Sequence, residues 1–176
     1  MLSNLMCLGH QVRELFLEEM QIIVHLMILI SKCHNTNLGK ECIFFFFNLM
    51  TYIDDKSCYI FMVTGINKLS NQEPQTDTDF PIVHILYSSI FEVLNDLKNQ
   101  IDQQNCLSII ENLLLIGKGY ADSGNQNGHN IFSKYLQMNC DWIESLQGLN
   151  PKQNQTIFES TKRQQITDKY FLELTE

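Results

Sequence analysis

Phe46-Phe47-Asn48-Leu49-Met50 sets one amide in a run otherwise suited to burial, and the arrangement returns at Leu2-Ser3-Asn4-Leu5-Met6 and Ile110-Glu111-Asn112-Leu113-Leu114. A short pattern recurring in helix-like apolar surroundings reads as a helical repeat, whose units stack because none buries its apolar face alone. Two further matches keep the same order along the chain: Ile23-Val24-His25-Leu26 with Ile82-Val83-His84-Ile85, and Glu41-Cys42-Ile43 with Asn105-Cys106-Leu107. The interval from Asn48 to Asn112 is longer than that from Asn4 to Asn48, and most of the excess is the polar stretch 69–79, an exposed loop by composition. Repeat architecture makes binding the default function.

The apolar spacing around these motifs is helical. Ile82, Val83, Leu86, Ile90, Val93, Leu94 and Leu97 recur at three- and four-residue steps with polar residues between them, which predicts an amphipathic helix over 81–97. Pro81, tolerated in a first helical turn, follows the acidic Asp77 and Asp79 and marks its start. Further helices are predicted at 10–18, 20–31, 37–51, 55–63, 104–117, 129–138 and 139–148. No hairpin signal appears, although 43–47 has strand-like composition.

The 176 residues, 44% apolar and 18% charged, suffice for one compact globular array. Twenty acidic against twelve basic residues give a formal charge of −8, which repels phosphate backbones, argues against direct nucleic-acid binding and favours a basic or neutral partner. Cys7, Cys33, Cys42, Cys58, Cys106 and Cys140 include no C-x-x-C pair, and their spacing suits neither a disulfide framework nor a zinc site. They read as reduced core residues, so the cytosol or nucleus is the expected compartment. Asn154-Gln155-Thr156 matches a glycosylation sequon, a signal without weight absent a secretory route. The apolar runs 22–30 and 43–50 fall short of the roughly 20 residues of a membrane span, so no membrane insertion is expected and both read as helices buried between neighbours.

Chemistry-bearing residues are few. An asparagine amide donates to one peptide carbonyl and accepts from one peptide N–H, so a regular row of them can hold an extended peptide by its backbone. The plainer alternative is that Asn4, Asn48 and Asn112 only bridge neighbouring helices. His25 and His84 occupy matching places, yet without a third donor they make a poor metal site, and nothing completes a tetrahedral set with Cys7 and His10. Gly117-Lys118-Gly119 lacks the remaining residues of a phosphate loop and reads as a helix stop. No nucleophile elbow or dinucleotide fingerprint is present, so neither catalysis nor a cofactor or metal is expected. The acidic loop 73–79 either steers a basic partner or is merely solvated, and the single Trp142 reads as a packing anchor.

Taken together, the pattern over about residues 1–148 resembles armadillo repeats, the three-helix units of an α-solenoid. In that family a short first helix and a glycine precede a second helix, and a long third helix carries a tryptophan-x-x-x-asparagine ladder. Asp54-Asp55-Lys56-Ser57-Cys58-Tyr59-Ile60-Phe61-Met62-Val63-Thr64-Gly65-Ile66 resembles the first helix with its glycine, and Gln21-Ile22-Ile23-Val24-His25-Leu26-Met27 the second. Leu38-Gly39-Lys40-Glu41-Cys42-Ile43-Phe44-Phe45-Phe46-Phe47-Asn48-Leu49 resembles the third. The chain departs from the family where Phe44 and Ser108 take the ladder's tryptophan places, where the first full repeat lacks its glycine, and where no third helix follows Asp141-Trp142-Ile143-Glu144-Ser145-Leu146.

The resemblance implies an all-α, armadillo-like α-solenoid, a right-handed superhelix of stacked helices, with 149–176 as a polar tail or capping helix. It also implies a concave groove lined by Asn4, Phe44, Asn48, Ser108 and Asn112 that binds a protein segment or extended peptide. Met1 falls within what resembles a third helix, so the chain is expected to be a piece of a longer array. The long polar insertion and Gly124-Asn125-Gln126-Asn127-Gly128-His129-Asn130-Ile131-Phe132 ahead of Trp142 are similar to the N-terminal array of meiotic telomere-bouquet proteins. That likeness implies a place in an assembly joining meiotic telomeres to the nuclear envelope. The expected function is therefore a non-enzymatic binding scaffold. The alternatives are an obligate regulatory or assembly subunit of a larger complex and a nuclear-transport adaptor.

Overall fold

Helix spacing in the sequence becomes helix in space. The computed structural model describes residues 20–63, 82–95, 100–123, 130–147 and Ile166. Among these residues the fold is all-α, with helices α1 (Met20–Cys33), α2 (Asn37–Tyr52), α3 (Asp55–Val63), α4 (Ile82–Asn95), α5 (Gln100–Asp122), α6 (Ile131–Gln137) and α7 (Cys140–Gln147) and no strand. No helix among them is long and apolar enough to cross a membrane. The predicted helix 10–18, Asn4, Cys7, His10, Pro81, the polar loop 69–79 and, Ile166 apart, the tail beyond 148 lie outside the described residues.

The helix starts are made by short polar side chains that take up N–H groups left over in a first turn. Thr36 accepts from Gly39 N at 3.3 Å to open α2, and Asp54 Oδ1 accepts from Ser57 N at 2.9 Å to open α3. Asn130 Oδ1 takes Phe132 N and Ser133 N at 3.1 and 3.3 Å to open α6, and Asn139 Oδ1 takes Asp141 N and Trp142 N at 3.1 and 3.4 Å to open α7.

The chain divides into two compact units, Met1–Ile90 and Phe91–Glu176. In the first, the three residues between α1 and α2 turn the chain back so that the two helices pack on one another, burying Ile23, Met27 and Ile30 of α1 and Ile43, Phe46 and Leu49 of α2. Cys58 of α3 is fully buried and its thiol donates to Met50 Sδ at 3.5 Å. In the second unit α5 packs on α6 and α6 on α7. The Trp142 ring stacks on Phe91 at 5.3 Å and 4°, and Ser145 Oγ donates to Asn95 Oδ1 at 3.1 Å. Trp142 is thus a packing anchor, as its isolation in the sequence implies.

Three expectations need correction. Gly117-Lys118-Gly119 does not stop a helix, because α5 runs through both glycines to Asp122. Gly117 serves close packing instead: a Cβ there would collide with the Asn130 side chain and the Phe132 ring. The apolar runs are not buried all round, since Ile22, His25 and Ile28 of α1 and Phe44 of α2 reach solvent. Nor are all the cysteines core residues. Cys42, Cys58 and Cys106 are buried, but Cys33, closing α1, is half-buried and Cys140, opening α7, is exposed, because each sits at a helix end.

Candidate binding surface

Asn4 lies outside the described residues, and the other four candidate groove residues fall on two helices. On α2, Phe44 and Asn48 lie one turn apart, yet Phe44 is 40% exposed and Asn48 only 6%. The Phe44 ring stacks on Phe47 at 6.1 Å, forming an aromatic ledge at the surface, while Phe45 and Phe46 meet edge to face at 5.3 Å within the core. On α5, Ser108 and Asn112 are likewise one turn apart, and both are half-buried. Ser108 Oγ donates to its own helix at Gln104 O, 3.0 Å away.

Around this second pair a longer stripe emerges. Ile101 is 72% exposed and Leu115 43%, and between them Gln104, Asn105, Ser108, Glu111 and Asn112 are half-buried at three- and four-residue spacing. The opposite side of α5 is closed by Cys106, Leu107, Ile110, Leu113 and Leu114. The helix therefore presents amides, a hydroxyl and a carboxylate between two apolar ends. Ser108 and Asn112 carry a legible sequence signal, whereas Ile101 and Leu115 do not, because an apolar residue in a helical pattern reads as core.

His25 is exposed on α1 and His84 half-buried on α4, where burial lowers the pKa of its imidazole. No group of three or more His, Cys, Asp or Glu side chains able to hold a metal ion occurs among the described residues. The buried thiols are poorly suited to nucleophilic work. Burial raises the pKa of Cys58, with Asp55 and Asp54 adding to the effect, and burial then Asp102 does the same to Cys106. Tyr87, also in the core, is held protonated by burial and by Cys58.

No protein-family model matches this chain, and no curated protein matches it.

Proposed function

We propose that the protein is a non-enzymatic binding module of armadillo-like repeats, stacked as an α-solenoid, that holds a segment of another protein against exposed helix faces. The observation that carries this reading is the α5 stripe, in which hydrogen-bonding side chains suited to an extended backbone stand between exposed Ile101 and Leu115. In the first unit the Phe44–Phe47 ledge is a separate apolar face of the kind that anchors a bound segment. Asn48, with its amide buried, contributes to the core and not to contact, so the ladder proposed for this chain is narrower than the family pattern implies.

Selection of a displayed peptide library on the full chain tests the proposal. Peptides that engage the α5 stripe should lose about tenfold or more in affinity to Asn112→Ala or Leu115→Ala, and those that engage the ledge the same to Phe44→Ala, the loss of a single contact worth about 1.4 kcal/mol or more. Equal binding by all three variants would remove these faces from consideration. A second reading, an obligate subunit of a larger complex, is favoured by the exposed Ile22, Leu38 and Ile60 of the first unit. Size-exclusion chromatography separates the two: a well-behaved monomer supports the transient binder, and self-association or capture into a fixed complex supports the subunit.

A further inference from the structure

Thr51 stands exposed in the last turn of α2, and its hydroxyl donates to Phe47 O at 2.8 Å. It lies one turn beyond Phe47 and two beyond Phe44, on the helix face that carries the aromatic ledge. Past Tyr52 the helix stops. Ile53 is extended, with φ −75° and ψ 147°, and the exposed acids Asp54 and Asp55 follow at the third and fourth positions after Thr51. A hydroxyl followed three residues on by a carboxylate is the charge pattern read by acid-directed protein kinases, whose basic clefts take the downstream acid. Among the described residues Thr51, Ser89 and Ser108 have it, through Asp54, Glu92 and Glu111. Ser89 is only 2% exposed, and Ser108 is half-buried well inside α5. Of the three, Thr51 is the one exposed at a helix end, where the last turn frays and the chain beyond it is already extended.

We propose that Thr51 is a phosphorylation site for an acid-directed protein kinase, and that the phosphate closes the Phe44–Phe47 ledge to apolar segments. The closing half rests on the ledge serving as a binding face in the proposed function. In the transfer, Thr51 Oγ1 attacks the γ-phosphorus of magnesium-ATP, the bond to the ADP oxygen breaks, and the hydroxyl proton passes to the kinase's catalytic carboxylate. The ester oxygen has no hydrogen left to donate, so the bond to Phe47 O is lost. A charge of about −1.5 to −2 arrives at the negative end of the helix dipole and close in sequence to Asp54 and Asp55, both unfavourable neighbours. The last turn of α2 loosens, and the ledge gains a hydrated dianion that an apolar segment would have to desolvate.

The full chain is incubated with magnesium-ATP and an acid-directed serine/threonine kinase, digested with trypsin and mapped by mass spectrometry. Cleavage after Lys40 and Lys56 releases 41–56, in which Thr51 is the one serine or threonine. That peptide should gain one HPO3 group in the wild type and none in Thr51→Val. It should gain about tenfold less when Asp54→Asn and Asp55→Asn are combined, a variant in which asparagine still caps α3. Circular dichroism confirms that both variants are folded. Peptides whose binding depends on Phe44 should hold the phosphorylated chain about tenfold more weakly, and phosphatase should restore them. The proposal is overturned if 41–56 stays unmodified, if the variant without the two acids is modified as fast, or if Phe44-dependent binding ignores the phosphate. A library that yields no Phe44-dependent peptide removes the ledge from the proposed function and the switch with it, while the mapping at Thr51 still decides the modification itself.

Discussion

Gly117 and Gly119 stand on the same helix, two residues apart, in opposite surroundings: a Cβ at the first would strike Asn130 and Phe132, and at the second it would meet nothing. The Asn130 side chain cannot simply swing aside. Its Nδ2 donates to Leu114 O at 2.8 Å while its Oδ1 caps α6, so moving it forfeits a helix cap as well as a cross-helix bond. Gly117→Ala should therefore destabilise the protein by about 1–3 kcal/mol, the range for overpacking combined with a lost cap. Gly119→Ala should stabilise it by about 0.5–1 kcal/mol by removing backbone freedom from the unfolded chain. Urea titrations followed by the fluorescence of Trp142, the chain's one tryptophan, read both changes in the unit that contains them. Shifts of the same sign would contradict the packing at Gly117. Residue by residue, the sequence shows that a glycine is present but not whether it ends a helix or admits a neighbour.

Within α2 the four consecutive phenylalanines separate by helical geometry: Phe45 and Phe46 are fully buried, Phe47 is half-buried and Phe44 is 40% exposed. A strand would have placed alternate rings on opposite faces, whereas steps of about 100° per residue put the middle two inward. Phe45→Ala should cost about 3–5 kcal/mol, as for other deleted core aromatics. Phe44→Ala should cost under about 1 kcal/mol, because its ring keeps much of its contact with water. Denaturation midpoints of the two variants by circular dichroism check the contrast, and near-equal losses would mean that the helix is turned differently. The helices themselves were legible from apolar spacing. Their starts are set by Thr36, Asp54, Asn130 and Asn139, whose capping bonds depend only on residues within the next turn, a local signal that apolar spacing does not use. The rotation of each helix was not legible, since Ile22, Ile28 and Leu115 are as apolar as the residues beside them that are buried.

At the scale of the molecule, a pH-sensitive contribution among the described residues comes from His84, whose pKa burial lowers from the ordinary 6.5. Between its folded value and 6.5 the unfolded chain holds more protons than the folded one, so stability rises with pH across that window. Above 6.5 the contribution is fully present, and below the folded value no more is lost. Replacing the ring by an uncharged amide in His84→Gln should flatten this part of the profile. Guanidinium unfolding of both proteins at a series of pH values checks it, and parallel profiles through the window would show that His84 desolvation is not felt in folding.

Local rules reach as far as one helical turn, and at that range the amino-acid pattern alone dictates that the described chain is helical, roughly where each helix lies and which positions can carry hydrogen-bonding side chains, although α5 begins at Gln100 rather than 104. Which of those positions meet solvent is set by packing between helices. Asn48 and Asn112 share one motif, yet the first is buried and the second half-buried, because burial depends on helices that arrive from elsewhere in the chain. The same dependence turned Gly117 from an apparent helix end into a contact point for Asn130, a residue of the next helix's start.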